Sequence, residues 1–238
     1  MVRTDPNARM NHPYRRPKDA ATLIVLDRAG KRTRVLMGQR HHNAIFMPGL
    51  YVFPGGRVDP GDSRVAPHDA LHPVVEEKLL KDMKGAPSSR RARALALAAI
   101  RETAEETGLL IGSRDTDGWS SASPAWQPFI AHRVAPAVSP LTFFLRAITP
   151  PGRPRRFDTR FFCTTSQWIA HRVPNDNDEL LNLHWLTFAE ALELELPTVT
   201  RLALQMLEAK LGAGEYPAPS DDIAYFYRKN GKFLREVL

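Results

Sequence analysis

The chain has 238 residues and a mass of 26.7 kDa, 43% hydrophobic and 25% charged, the composition of a globular protein large enough to bury its own core. Its 20 prolines and 14 glycines follow no triplet period, and no run approaches the roughly 18 to 20 apolar residues of a membrane helix, which excludes collagen-like and membrane-spanning chains. The net charge is +7, and ten Lys/Arg against three Asp place all of that excess in residues 1–40.

Residues 1–20 are basic and have no apolar stretch of secretory type, so they are expected to form a partly flexible leader ahead of one domain spanning 21–238 in the cytoplasm. A basic arm of this kind is also able to attract nucleic acid or anionic substrates. Thr22–Asp27 and Arg34–Arg40 are β-rich runs parted by Ala29-Gly30-Lys31 and predict a hairpin. A third strand at Tyr51–Phe53 stops at Pro54-Gly55-Gly56, and the chain reads as turn-rich from there to Asp62. His72–Lys84 carries Val75, Leu79, Leu80 and Met83 at helical spacing. Ser89–Thr107 predicts a longer helix, with Ser88 or Ser89 as N-cap and Gly108 just past its end. Leu109–Ile111 begins a strand and Asp115–Gln127 reads as a loop. Leu141–Ile148 and Arg160–Thr164 are predicted strands joined by a proline-rich connection. The only cysteine, Cys163, falls inside the second of them; it has no disulfide partner and reads as a small buried apolar residue. Leu180–Leu186 is a further strand, followed by helices at Ala189–Leu194 and Pro197–Leu211, the latter with Val199, Leu202, Met206 and Leu207 along one face. Asn230-Gly231 within Ile223–Leu238 predicts a closing hairpin, and no internal repeat is expected.

Chemistry concentrates in Arg101-Glu102-Thr103-Ala104-Glu105-Glu106-Thr107-Gly108-Leu109. On a helix Glu102, Glu105 and Glu106 stand at i, i+3 and i+4, three carboxylates on one face at the end where the helix dipole favours cations. Two readings remain: a solvated acidic face, or a site for a hard divalent cation such as Mg²⁺ or Mn²⁺. The histidines have no zinc-type pairing, and neither Gly-x-Ser-x-Gly nor a Walker phosphate loop is present. Arg160 has the fork to grip a phosphate, with an ion pair to Asp158 as the alternative.

Together with Gly56, this segment resembles the Nudix box of the Nudix hydrolases: Gly, five residues, Glu, seven residues, then Arg-Glu-apolar-x-Glu-Glu-x-Gly-apolar. Asp62 stands where the box has its first Glu, Thr103 replaces an apolar residue, and residues 63–100 fill the gap of seven. The insertion includes the His72–Lys84 helix, as a small lid or side lobe or as a packing embellishment. A narrower resemblance, to the Nudix branch that includes peroxisomal coenzyme A diphosphatases and bacterial relatives, rests on Arg40, Gly49, Phe53, Pro54, Gly55, Gly56 and Asp59, with a second basic position of that signature falling on Ile45.

The resemblance implies an α/β fold, the Nudix α/β/α sandwich with a mixed sheet, a helical insertion inside the box and a C-terminal β-hairpin. It implies Mg²⁺ or Mn²⁺ on Glu102, Glu106 and Glu105, the last being either a ligand or the base that takes a water proton. Glu179, six residues before Trp185, is the expected further metal ligand, with Asp176 and Asp178 as alternatives. Arg101 would hold the glutamates in place, and Arg40, Gly55, Gly56 and Arg160 are the expected substrate contacts. The implied reaction is hydrolysis of a nucleoside diphosphate linkage, first of coenzyme A or acyl-CoA to 3′,5′-ADP and a 4′-phosphopantetheine product. NADH, nucleotide sugars or dinucleoside polyphosphates are the alternative substrates, and a non-catalytic nucleic-acid-binding module is the alternative class. The expected partner is a small nucleoside diphosphate; a homodimer is an allowed assembly, and neither membrane nor nucleic acid is expected.

Overall fold

The computed structural model describes residues 12–114, 118–175 and 177–238. Part of the leader and Asp176, one alternative for the downstream carboxylate, lie outside the described residues. In chain order the elements are β1 (Lys18–Asp27), β2 (Arg34–Arg40), β3 (Tyr51–Val52), β4 (Gly55–Arg57), α1 (Pro73–Leu80), α2 (Ser89–Thr107), β5 (Leu109–Arg114), α3 (Gln127–Ala131), β6 (Val134–Pro136), β7 (Thr142–Ile148), β8 (Phe157–Thr165), β9 (Ile169–Arg172), β10 (Leu180–Thr187), α4 (Phe188–Leu192), α5 (Thr198–Gly212), β11 (Ala224–Lys229) and β12 (Lys232–Val237).

Strand β1 is apolar on both faces, and that decides the layering. Ala21, Leu23 and Val25 point into a core shared with α1 and α2, while Ile24 and Leu26 point into a second core shared with α4 and α5. The main sheet runs β10-β2-β1-β8-β7-β11-β12, with β3 added to β2 and β4 added to β1. β1 and β8 are parallel, as are β7 and β11, and the other pairs are antiparallel, so a mixed sheet lies between helices on both faces. β6-β5-β9 form a smaller sheet beyond the end of α2. No helix among the described residues is long and apolar enough to cross a membrane.

Several elements differ from the sequence expectation. The turn-rich stretch after Pro54 contains β4, because β2 pairs with β1 only at Leu26 and Asp27 and leaves the edge at Ala20–Thr22 open for Gly55–Arg57. α3, β6 and β9 are three to five residues long, too short for a period to register, and both strands are held by pairing with β5. α1 stops at Leu80 rather than Lys84, just before Asp82 and Gly85 take left-handed backbone angles. Pro197 is the N-cap of α5 rather than its first residue, and the buried face there is Thr200, Ala203, Leu204 and Leu207.

Residues 63–100 lie against the main body. Val75, Leu79 and Met83 join the same core as α2, and Asp82 pairs with the buried Arg146 at 2.9 Å. The C-terminal hairpin closes on Asn230 (φ 51°) and Gly231 (φ 76°), the left-handed pair that a two-residue hairpin turn requires.

Candidate active site

The site is built on the last turns of α2. Ser88 caps its start by accepting from the Arg91 amide at 3.3 Å, and Gly108 ends it at φ 71°, where a Cβ would lie 2.3 Å from the Val173 carbonyl oxygen. The carbonyls of that last turn are taken by side chains from the loop before β10: Asn175 Nδ2 donates to the Glu106 oxygen (2.6 Å) and Asn177 Nδ2 to the Glu105 oxygen (3.0 Å). Asn177 also accepts the Glu179 amide at 2.9 Å, so the loop that satisfies the helix end also sets Glu179.

Arg101 uses all of its donor nitrogens. Nε and Nη2 hold the two oxygens of Asp62 (2.8 and 3.1 Å), Nη2 also donates to the Arg57 carbonyl (2.9 Å), and Nη1 reaches Glu102 and Glu105, both at 2.9 Å. Asp62, one methylene shorter than glutamate, therefore makes the contact to the helix, and it accepts the Asp59 amide at 2.8 Å as well. Thr103, in the place of an apolar residue, is fully buried because its hydroxyl donates back to the Ala99 carbonyl at 2.8 Å.

The glutamates occupy three environments. Glu106 is buried, accepts the Gly55 amide at 2.8 Å and lies 3.9 Å from Arg40. Burial raises its pKa well above the usual carboxylate range, and the Gly55 hydrogen bond and Arg40 offset this only in part. Glu102 lies against Gly56, where any Cβ would come within 2.4 Å of its carboxylate; burial pushes its pKa to about 7 despite Arg101. Glu105 is the most exposed of the three at 37%, and burial raises its pKa too, against the pull of Arg101. Burial would lower the pKa of Arg101, but Asp62, Glu102 and Glu105 more than reverse this and keep it charged.

Arg40 stands between Glu106 and Glu179, with Nη2 3.3 Å from the latter, and its buried Nε has no partner among the described residues. As the side chains lie, no group of three or more His, Cys, Asp or Glu among the described residues is set to hold a metal ion. Glu102 and Glu105 turn to Arg101, and Glu106 and Glu179 turn to Gly55 and Arg40. The donor set is nonetheless suited to a hard cation: clustered carboxylate oxygens, three of them disfavoured in their charged form, around a place where a positive charge already sits.

The structure thus gathers Arg40, Gly55, Gly56, Arg101, Glu102, Glu105, Glu106 and Glu179 around one end of α2. Arg160 stands apart from this group. It is buried, with Nη1 held by Asp19 (2.9 Å), the Asp158 carbonyl (2.8 Å) and the Asp158 carboxylate (3.2 Å). Sequence reasoning had not found Asn175 or Asn177; the only signal was two asparagines just before the predicted strand.

No family model matches the chain. It is similar to the acyl-coenzyme A diphosphatase NUDT19 of Xenopus laevis, 28% identical over 251 aligned positions that cover 77% of this chain. The match spans 66% of that relative, just under two thirds of its length. It is also similar to the crystal structure of a NUDIX hydrolase from Alicyclobacillus acidocaldarius, with a TM-score of 0.57 and 29% identity, covering 80% of this chain and 90% of the other.

Proposed function

We propose that the chain acts as a Nudix hydrolase on the diphosphate linkage of coenzyme A or an acyl-CoA, releasing 3′,5′-ADP and a 4′-phosphopantetheine product. The observation that carries this reading is the set of glutamates at the end of α2, of which Glu102 and Glu106 lie against the Gly55-Gly56 strand with burial disfavouring their charged form. The similarity to an acyl-coenzyme A diphosphatase supports the choice of substrate.

Glu102, Glu106 and Glu179 would hold Mg²⁺ or Mn²⁺, which when bound neutralises the diphosphate and acidifies the attacking water. Glu105 either shares the ion or accepts the proton of that water, and its greater exposure suits the second role. Arg101 orients Glu102 and Glu105 through one nitrogen that donates to both, and the absence of a side chain at Gly56 leaves room for the Glu102 carboxylate. Arg40, which lies against Glu106 and Glu179, would be available to a phosphate oxygen if those carboxylates held the ion.

A product-resolved assay of diphosphate compounds with Mg²⁺ tests the reading. Coenzyme A should yield 3′,5′-ADP with a higher kcat/KM than NADH or a nucleotide sugar. Glu106→Gln should lose roughly 10²-fold or more in turnover. It should still fold, because an amide replaces a carboxylate that burial disfavours. Turnover of nucleotide sugars with coenzyme A untouched would overturn the substrate, and full activity in excess EDTA would overturn the metal role.

A further inference from the structure

Next to the carboxylates a groove of about 280 Å³ opens between the loop after β2 and the proline-rich connection from β7 to β8. Arg40, His41, Asn43 and Ile45 line it from the first loop and Arg155 from the second, and Arg40 and Glu179 belong to both the groove and the glutamate cluster. The walls are fixed by backbone hydrogen bonds, His41 to Glu179 (3.2 Å), Gly49 to Arg40 (3.1 Å) and Arg40 to Leu50 (3.0 Å). An edge contact between Phe46 and Phe157, centroids 5.6 Å apart, ties the first loop to the strand that follows Arg155.

Charge singles out this groove. Arg155 is exposed and has no ion-pair or hydrogen-bond partner among the described residues, while Arg40 has its buried Nε unpaired. Among the described residues the only acid lining it is Glu179, already engaged by Arg40. A larger depression of about 480 Å³, lined by Asp19, Arg57, Asp59 and Arg91, is different: Asp19 is paired with Arg91 and Arg160, and Asp59 with Arg57. Both of its acids are thus neutralised, and Lys18, which also lines it, is the one charged group there with no ion pair among the described residues.

We propose that Arg155 is a specificity residue that grips a phosphate monoester carried by the substrate outside the cleaved diphosphate, such as the 3′-phosphate of an adenosine nucleotide. This rests on the reading of the glutamate cluster as a diphosphatase site. The groove lies at the lower edge of the roughly 300–1,000 Å³ that encloses a small organic ligand, so it receives one part of a substrate whose diphosphate lies on the glutamates. Were Glu179 drawn to a cation, two guanidiniums would face the groove with no acid among the described residues opposing them, and a guanidinium fork matches phosphate oxygens. Ile45 supplies no charge at the position where the coenzyme A signature has a basic residue, and Arg155 brings one to the same groove from the other loop.

The test compares coenzyme A with 3′-dephospho-coenzyme A as substrates, and 3′,5′-ADP with 5′-AMP as ligands by calorimetry, for wild type, Arg155→Ala and Arg155→Lys. Wild type should favour each 3′-phosphorylated compound by roughly 10- to 100-fold, the worth of one charge-assisted hydrogen bond. Arg155→Ala should bring both ratios toward one, mainly through KM and Kd, and Arg155→Lys should restore part of them. Ratios unchanged by Arg155→Ala overturn the proposal, as does an equal loss for both members of each pair, which would place Arg155 on the diphosphate itself. If coenzyme A is not hydrolysed but 3′,5′-ADP is still preferred through Arg155, the diphosphatase reading falls and the subsite stands.

Discussion

Asp62→Ala isolates the contact on which the glutamate face depends. Asp62 and Arg101 are 1% and 5% exposed, and their fork-to-fork contacts are 2.8 and 3.1 Å. Removing the carboxylate leaves Nε and one Nη2 hydrogen of a buried guanidinium without acceptors and also deprives the Asp59 amide of its acceptor. Breaking a buried pair from one side costs about 3–5 kcal/mol. Glu102 and Glu105 still balance the Arg101 charge, which places the expected loss near the lower end, about 3 kcal/mol. In a chain of this size 1 kcal/mol moves the melting temperature by roughly 2–4 °C, so Asp62→Ala should melt roughly 6–12 °C below wild type. Asp62→Asn keeps the shape and one carbonyl acceptor and should lose about half as much. Circular dichroism melts of the three proteins in one buffer suffice. If Asp62→Ala melts within about 2 °C of wild type, or if the asparagine variant is the less stable of the two, the pair does not hold the helix as argued.

Three further outcomes follow from the same geometry. Gly56→Ala should push the Glu102 carboxylate aside, since the new Cβ would lie 2.4 Å from it, and should lower kcat by roughly 10- to 100-fold with an unchanged far-UV spectrum; wild-type kinetics would refute the close approach. Glu102, with a folded pKa of about 7 against an ordinary value near 4.5, keeps its proton longer when folded, so in EDTA the unfolding free energy from urea titrations should fall between pH 4.5 and 7, by at most about 3 kcal/mol, and excess Mg²⁺ should remove the fall; a free energy rising across that window in EDTA would contradict the assignment. Cys163 is buried and its thiol pKa is pushed far up by desolvation, so a disulfide reagent should leave it untouched until denaturant is added, as a colorimetric thiol count will show.

What was legible in the sequence was local or periodic. Ser88 and Gly108 mark α2 because capping is written in the residues at a helix end, and Asn230-Gly231 marks the last hairpin because few residues accept that turn. The carboxylate spacing on α2 was equally plain. What is long-range was not legible. Arg40 meets Glu179 across 139 residues, and Asn175 and Asn177 reach the end of α2 across 69 and 72, so nothing in a short window of sequence announces either contact. β6 and β9 have three and four residues and exist because β5 offers them edges. Asp62 was a departure from the box by residue type, yet close approach of the loop to Arg101 recovers the contact.

The parallel pairing of β1 with β8 has a consequence for the order in which the chain is made. β1 can close with β2 as soon as residues 18–40 have left the ribosome, but the other edge of this doubly apolar strand stays open until Phe157–Thr165 has been synthesised. Loop-closure entropy makes that late contact slow, and an unpaired, two-faced apolar strand is a hazard while it waits. Once made, α2, which is synthesised well before β8 and packs on one face of β1, shields that face of the strand from other chains.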